Sequence, residues 1–445
     1  MDRSSALSHD ILAVFAGIDD NGDVIMLKCK TIKLKMLSLK EDIYRKDIKI
    51  GNFLWALAFA GIAHGLYRGV QDNYLAELAN ISAFERGIVE FFRELPGLLV
   101  ILFLALMYRF SQTRILKIST GIMIAGLVGL ILSSTAKVPV VLFMVIYSMG
   151  EHIIMPVRSS LSLEFAQSSQ GGASLGVTSA LTQIGNIAGF AIVTGLFFLF
   201  SRLGFQRTDI MQFKIIFGLA TALMIGALLV SMAIQETAVL GKGKRFYFDK
   251  KFHKFYMLEI FYGSRKQIFL TFAPYVLILK YGANASTIAS LLAICAVFGT
   301  IFSPIIGKLI DKVGYKIVMV TDTIILTVVC FFYGFSHHLF PAHIAYIVIY
   351  VNFILDSIIS LASMASSVYV QDIASSKEEI TATLSTGISV NHVISIIIAL
   401  LGGFLWEKVG IEVLFSLSAF LGLMNTLYAA TIKKPKDNGQ SMVTP

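Results

Sequence analysis

The sequence has few charged residues and few residues that form cross-links. Charged side chains make up 15% of the 445 residues, against 56% hydrophobic ones, which excludes an ordinary soluble domain. The three cysteines, Cys29, Cys295 and Cys330, lack the short spacings of a disulfide framework or a zinc site. We therefore expect them to be small core residues, and we expect no bound metal and no cofactor.

Signals of catalysis are also scarce. The zinc-protease motif H-E-x-x-H does not occur, and the loops between the hydrophobic segments are too short for a separate catalytic domain. The sequence therefore does not indicate an enzyme.

Long hydrophobic segments dominate the chain, whose mean hydropathy is +0.76. A helix needs about 20 mostly apolar residues to cross a bilayer, whereas a spanning strand needs only about 9–11. Twelve segments are long enough, which predicts an all-α integral membrane protein, and the long fifth and eleventh ones could contain a break. They cover roughly 51–73, 84–108, 114–134, 138–160, 172–201, 211–234, 253–279, 285–306, 316–336, 341–366, 379–405 and 411–431.

Basic residues are concentrated on one side of the predicted membrane. The net charge is +9, and the loop at 235–252 is the richest in lysine and arginine if the N-terminus is inside. By the positive-inside rule we expect a multi-pass protein of the cytoplasmic (inner) membrane with both termini in the cytoplasm. The charge then requires no nucleic-acid partner.

A basic turn punctuated by glycines follows the eighth segment. It has the pattern G-x-L-x-D-x-x-G-x-K, formed by Gly307, Leu309, Asp311, Gly314 and Lys316, with Lys312 directly after the aspartate. The first glycine permits close helix approach and the second a tight turn. The aspartate could cap the start of the fifth segment, near residues 171–172, and so act as a cytoplasmic gate that latches the inward-closed state.

The two halves of the chain repeat each other. Residues 199–205 close the fifth segment, and residues 405–411 close the eleventh 206 positions later. The turn at Asp311 has a counterpart 203 positions earlier, where Tyr108 replaces the acid and Ser111 the glycine.

The basic turn and this duplication resemble the major facilitator superfamily of transporters, over about residues 50–432. The resemblance implies two pseudo-symmetric six-helix bundles with a substrate site between them. The expected divisions are a tail at 1–50, bundles at 51–234 and 253–431, a basic linker at 235–252 and a tail at 432–445.

Charged residues inside the first two segments are one candidate site, because burying a charge in a membrane is costly. Residues four apart on a helix share a face, and the two segments run antiparallel. We predict an outer charge network, which is either structural or part of an outer gate loosened at Pro96-Gly97. Its members are His64, Arg68 and Asp72 on the first segment, and Arg86, Glu90, Arg93 and Glu94 on the second.

A second candidate site lies nearer the midplane, on segments that line the central cavity in the family that the chain resembles. Adjacent cations can hold the anionic end of a substrate, and a carboxylate beside a histidine can load and release a proton. The alternative is that the cations only neutralise buried carboxylates. The substrate-binding candidates are Arg265, Lys266, Tyr67, Tyr262 and Asn352; the proton-coupling candidates are Glu151 with His152 and, less favoured, Asp356.

These features predict a secondary transporter that moves a small solute by alternating access. We expect H⁺ coupling, an anionic or zwitterionic metabolite, and a monomer in the lipid bilayer. The alternative is an exporter of amphipathic or drug-like compounds, because the fifth segment is rich in glycine, although close helix packing explains glycines equally well. A transporter-like sensor without net transport is a third class.

The first 35 residues are expected to be dispensable. The apolar run at 11–17 is too short for a span or a convincing signal sequence, and a lone strand at 24–36 would have no partner. Either translation begins near Met36 or the tail is regulatory.

Overall fold

The computed structural model describes residues 43–45, 50–107, 109–167, 170–236 and 248–432. Within these residues it is helical, and its only β-type pairing is an isolated bridge between Tyr44 and Ala166. Twelve long helices, here called spans 1 to 12 in chain order, confirm the predicted fold. Their bounds are Ile50–Leu78, Ala83–Leu106, Gln112–Leu132, Lys137–Phe165, Gly171–Arg202, Ile210–Met232, His253–Leu279, Ala285–Val313, Tyr315–Leu339, Ala342–Ile373, Lys377–Val409 and Ile411–Ala430. Most of the predicted tails and linker, including the segment before Met36, lies outside the described residues.

Ten of the spans are long and apolar enough to cross a membrane by length and composition alone. The other two are spans 2 and 7. Charged residues inside a membrane face the bundle interior or a water-filled cavity, so these two spans are the first place to look for a site. The charges are Glu85, Arg86, Glu90, Arg93 and Glu94 on span 2, and Lys254, Glu259, Arg265 and Lys266 on span 7.

Short polar residues and glycines set the ends of the spans. Span 2 begins with a capping box, in which Ser82 Oγ accepts a hydrogen bond from Glu85 N at 3.2 Å and Glu85 Oε2 accepts one from Ser82 N at 2.8 Å. Span 9 follows span 8 at Gly314, whose φ of +87° favours glycine. The turn that the sequence predicts at this glycine is therefore present.

Irregular turns occur in different spans from those that the sequence indicates. Spans 5 and 11, considered long enough to hide a break, are continuous helices, and span 2 stays helical through Pro96. Span 1 instead ends in a π-helical turn at Tyr74–Leu78, and span 10 contains a 3₁₀ turn at Ser360–Ser363. The 3₁₀ turn places Ser360 beside a buried arginine of span 7, described below.

The end of the bundle at which the odd-numbered spans begin carries most of the basic loop residues and is called the basic end. Near it, each half of the protein has its own apolar core. Phe53, Leu161 and Ile234 belong to a core of spans 1–6, whereas Phe255 and Met319 belong to a core of spans 7–12.

Toward the opposite end a single apolar core joins the two halves. It includes Tyr67 and Phe217 of the first half together with Phe272 and Tyr333 of the second. The halves meet along spans 2 and 11 and along spans 5 and 8. The bundle is thus closed at the opposite end.

Candidate functional site

The two halves separate toward the basic end. A Cβ added at Gly172, Gly176 or Gly307 would meet no atom within 4 Å, so the start of span 5 and the end of span 8 face open space. The close helix approach predicted at Gly307 is absent in this conformation. At the opposite end, by contrast, a Cβ on Gly87 would lie 2.3 Å from the carbonyl oxygen of Ala399. Since the two halves also have separate apolar cores at the basic end and a shared core at the opposite end, the protein is open at the basic end.

A cavity of about 340 Å³ lies between spans 4 and 5, in the part of each span that is nearer the basic end. Arg158 donates a hydrogen bond to Thr182 Oγ1 at 3.4 Å, and it has no ion-pair partner among the described residues. The lining is otherwise mostly hydroxyl and amide side chains, which suits a polar occupant. The lining residues are Arg158, Ser159, Leu175, Thr178, Ser179, Thr182 and Gln183.

Five of the seven residues proposed for the outer charge network lie in one chain of ion pairs, here called the buried network. Arg86 lies 3.1 Å from Asp72 and 2.7 Å from Glu90, and Arg93 lies 2.6 Å from both Glu90 and Glu94. The Arg86 side chain is only 1% exposed. Charges buried to this degree are stable only when they are paired.

The other two residues proposed for that network, His64 and Arg68, have different partners. Arg68 donates to Gln71 Oε1 at 2.9 Å, while His64 Nδ1 lies 3.5 Å from Glu151 Oε1 and 3.2 Å from the Tyr147 hydroxyl. The expected contact between Arg68 and span 2 is therefore not formed. An α-helix turns about 100° per residue, so a stripe at every fourth position drifts around the helix by about 40° per step.

Halfway along span 2, Glu94 joins the two halves of the protein. Its Oε2 lies 2.9 Å from His392 Nδ1 of span 11 and 3.9 Å from His152 Nε2 of span 4. Gly97, one turn away, leaves room for both rings, because a Cβ there would lie 2.6 Å from His152 and 2.9 Å from His392. His152 thus contacts this site, whereas its sequence neighbour Glu151 contacts His64.

A second link between the halves comes from span 7. Gln267 Nε2 donates a hydrogen bond to Glu90 Oε1 at 3.1 Å, so the buried network extends into the second half. Sequence reasoning missed both Gln267 and His392. The signal for the histidine was its position inside an apolar span, where an ionisable residue indicates a functional site.

The central pair on the second half is Arg265 with Asp356. Arg265 Nη1 lies 3.1 Å from Asp356 Oδ1, and its Nη2 donates to Ser360 Oγ at 3.2 Å. The side chains are 4% and 15% exposed, respectively. The guanidinium also lies over the ring of Tyr262, 5.2 Å from its centroid, which favours a cation.

Lys266, the next residue along span 7, has no ion-pair partner among the described residues and is half-buried. One to two turns nearer the basic end, Glu259 accepts hydrogen bonds from Ser366 at 3.1 Å and from Asn391 at 3.4 Å. A cation that forms no close ion pair with any described residue therefore lies beside a paired cation at mid-depth.

The remaining substrate-binding candidates have mainly local contacts. Tyr67 packs on Tyr147 with ring centroids 4.1 Å apart and is 1% exposed. Asn352 donates to the carbonyl oxygen of Val348 in its own helix at 2.7 Å, and Tyr262 donates to the carbonyl oxygen of Ser360 at 3.3 Å.

The basic turn after span 8 is exposed in this conformation. Asp311 and Lys312 are exposed, and Lys316 Nζ donates to the carbonyl oxygen of Ile432 at 2.9 Å. Among the described residues Asp311 has no hydrogen-bond or ion-pair partner, and the start of span 5 has no side-chain cap, so the predicted cap is not formed in this conformation.

At the corresponding place in the first half, Ser111 caps span 3 and donates a hydrogen bond to Glu236, which follows span 6. This hydrogen bond and the nearby Lys117 ammonium hold the pKa of the exposed Glu236 carboxyl below its ordinary value. The first half thus ties spans 3 and 6 together with a serine.

Two glycine patterns in span 5 have structural explanations. Gly185 and Gly189 pack on the backbone of span 1 near Gly61 and Gly65, as small residues do where helices approach closely. Ser174 lies in a G-x-S-x-G sequence at 172–176 but is buried within a continuous helix and bonded to Ser162. It therefore lacks the sharp strand-to-helix turn that exposes a nucleophile.

Comparison with known proteins gives a consistent result. Among solved structures, the fold is similar to a point mutant of the nucleoside transporter NupG (TM-score 0.68, 16% identity, covering 85% of this chain and 99% of that one). It is also similar to a POT family transporter in complex with a thioalcohol conjugated peptide (0.67, 12%, 86% and 94%). A POT family transporter in complex with 5-aminolevulinic acid is similar as well, with a TM-score of 0.66, 12% identity and coverage of 86% of this chain and 94% of that one. At these identities the similarity shows the fold alone.

A search among curated proteins finds no match. The family model described as Major Facilitator Superfamily matches residues 255–443, which include the basic turn after span 8. Over these residues the chain is similar to the major facilitator superfamily of transporters, and the twelve-helix fold agrees with that similarity.

Proposed function

We propose that the protein is a proton-coupled secondary transporter of a small anionic or zwitterionic solute. The match of residues 255–443 to the superfamily model supports secondary transport in general. The observation that carries the finer proposal is the buried pair of Arg265 and Asp356 beside the unpaired Lys266.

The conformation supports alternating access. The positive-inside rule puts the basic end in the cytoplasm, so a protein that is open at that end is inward-open. A separate core for each half at the basic end and a shared core at the opposite end are what this state requires. The outward-open state would need spans 2 and 11 to part near Gly87.

Arg265 links substrate and proton. An anionic group that approaches the cavity competes with Asp356 for the guanidinium, which offers a planar fork, while Lys266 supplies a second point charge. Once the substrate has displaced Asp356 from Arg265, the Asp356 carboxylate is an unpaired charge in a low-dielectric site. Protonation of the carboxylate removes the free-energy cost of that charge. Anion binding and proton binding thus favour each other.

A zwitterion would find an acidic partner nearby. Glu259 lies on the same span, and its hydrogen-bond partners Ser366 and Asn391 are neutral, so a substrate amino group would bring it a cation. Structural neighbours that bind a conjugated peptide or 5-aminolevulinic acid agree with a substrate that carries both charges.

Glu151 is the second candidate for the proton carrier. It contacts His64 at 3.5 Å, and its proposed pairing with His152 is not present, because neighbouring residues on a helix point about 100° apart. We favour Asp356 because Arg265, its one ion-pair partner among the described residues, is also the group that an anion would bind.

The proposal is tested by binding and uptake with the purified protein. A metabolite library read as a melting-temperature shift identifies ligands, and proteoliposomes with an imposed pH gradient measure uptake. Arg265→Gln and Lys266→Gln should each cut binding of an anionic ligand at least about 10-fold, since a charged hydrogen bond contributes about 1.5–3 kcal/mol. Lys308→Gln, an exposed lysine of the basic turn, is the matched control. Normal uptake by both span 7 variants would refute the proposal.

A further inference from the structure

The buried network has one negative charge too many. Asp72, Glu90 and Glu94 contribute three carboxylates, whereas Arg86 and Arg93 contribute two guanidinium groups. Four of the five residues are buried, and Arg93 is nearly so. Since an uncompensated charge in a low-dielectric interior is costly, this arrangement calls for another cation.

The excess charge has a defined location at Glu94. Its Oε1 accepts a hydrogen bond from Arg93 at 2.6 Å, which leaves Oε2 turned toward two imidazoles. His392 Nδ1 lies 2.9 Å from that oxygen and His152 Nε2 lies 3.9 Å from it. One carboxylate oxygen and two imidazole nitrogens, all within 4.8 Å of one another, thus converge on one point.

The distances suit a small metal ion. Ligand atoms at about 2.0–2.1 Å from a tetrahedral zinc ion lie about 3.3 Å apart, between the two distances observed from Glu94. Two imidazoles and a carboxylate are a donor set that transition metals bind well. Three protein ligands would leave a fourth position for water, and His392, whose side chain is 21% exposed, is the member that the cavity can reach.

The surroundings of His152 fix the nitrogen that faces the site. Its Nδ1 lies 2.8 Å from the carbonyl oxygen of Ser148, so Nδ1 carries the proton and Nε2 keeps a free lone pair. A hydrogen bond of this kind orients the histidine in most metal sites. Gly97 leaves the space that the two rings occupy.

We propose that Glu94, His152 and His392 form a binding site for a divalent transition-metal ion of the Zn²⁺ class. Spans 2 and 4 belong to the first half and span 11 to the second, so the bound ion fastens the halves together in the conformation closed at the opposite end. The sequence did not indicate this site because its ligands come from three distant spans.

The test is zinc binding by the full chain, purified in detergent and freed of metal with a chelator. A second cluster, His337, His338 and Glu412, also brings three donors together near the opposite end, so His338→Gln serves as the background. In this background we expect saturable binding of one Zn²⁺ per chain by calorimetry and a rise in melting temperature. Mg²⁺, which prefers oxygen ligands, should give neither.

Variants of the site then assign the ligands. His392→Gln should weaken binding more than about 100-fold, because even the second-shell partners of a metal contribute about 10- to 100-fold. His392→Cys should keep binding, since a thiolate is also a zinc ligand. If His392→Gln unfolds without metal, His152→Gln replaces it, and the cysteine variant still distinguishes loss of a ligand from loss of the fold.

A conformational readout tests the fastening. Ser290 of span 8 lies 3.1 Å from Thr194 of span 5, across the closed opposite end. In the protein with the intact metal site, Zn²⁺ should slow thiol modification of a cysteine placed at Ser290. In the His392→Gln variant, Zn²⁺ should leave the rate of that modification unchanged.

Three results would overturn the proposal: no zinc binding in the His338→Gln background, equal binding by His392→Gln, or an equal effect of Mg²⁺. If zinc binding did not change the rate of thiol modification at Ser290, the inference that the ion holds the two halves together would be wrong. Binding is measured without transport, so a failure here leaves the proposed transport function in place.

Discussion

Replacing Asp356 with asparagine separates the two roles assigned to its pair with Arg265. The substitution keeps the shape and the hydrogen-bonding capacity of the side chain but removes its charge and its ability to carry a proton. Arg265 Nη2 retains its hydrogen bond to Ser360 Oγ, so the guanidinium is not left without partners. The variant therefore tests whether the carboxylate competes with substrate.

The size of the effect follows from the contact that is removed. A hydrogen bond between charged groups contributes about 1.5–3 kcal/mol. An anionic substrate must break the ion pair between Arg265 and Asp356, whose atoms lie 3.1 Å apart. Removing this ion pair by Asp356→Asn should therefore tighten substrate binding about 10- to 100-fold at high pH. In the natural protein, binding should strengthen as the pH falls, because a protonated Asp356 no longer competes. In the asparagine variant binding should be nearly independent of pH.

Two measurements on proteoliposomes check this reasoning. Asp356→Asn should lose accumulation driven by a pH gradient but keep exchange of labelled for unlabelled substrate, because exchange needs no net proton movement. Glu151→Gln, which removes the other candidate carboxylate, is the matched comparison. If Asp356→Asn still accumulated substrate along a pH gradient and bound it with unchanged affinity, Asp356 would not be the proton carrier. If only Glu151→Gln lost this accumulation, the proton carrier would be Glu151.

Three further predictions concern the fold and the gates. Arg86→Met should destabilise the purified protein by about 3–5 kcal/mol, since it leaves the buried Asp72 carboxylate without a cation and removes one of the two guanidinium partners of Glu90; a melting temperature equal to that of the natural protein would contradict this. Asp311→Asn should enrich the inward-open state about 2- to 5-fold, because a capping carboxylate contributes about 0.3–1 kcal/mol. Faster thiol modification of a cysteine at Ser179, which lines the cavity near the basic end, measures it. Gly87→Leu should favour opening at the opposite end, since a Cβ there would lie 2.3 Å from a carbonyl oxygen of span 11; slower uptake with unchanged folding is the expected result.

The spans and the turn at Gly314 could be predicted because they depend on local properties. A helix in a membrane must satisfy its backbone within itself, so the length of an apolar run nearly determines each span. The turn needs a residue that tolerates positive φ, and the sequence supplies glycine there. The irregular turns of spans 1 and 10 were not predictable in this way, since they accompany contacts such as that of Arg265 with Ser360.

Partners inside the bundle were harder to predict than positions along it. Adjacent residues such as Glu151 and His152 point in different directions from one helix, and each meets a different span. His392 lies 298 positions from its partner Glu94, so no spacing relates them. The rotation of each span about its own axis is not encoded locally, because it depends on packing against all the neighbouring spans.

Polarity distinguishes two of the twelve spans. Spans 2 and 7, which are too polar for a simple hydropathy criterion, carry four of the five residues of the buried network and the Arg265 that pairs with Asp356 of span 10. They touch each other where Gln267 donates a hydrogen bond to Glu90. Each buried charge lowers the stability of the helix in the membrane, and a fold without function would replace these residues with leucine or valine. A proton carrier, a substrate cation and a link between moving halves all require such groups, so the polarity of these two spans is itself an argument that the halves move relative to each other around this contact.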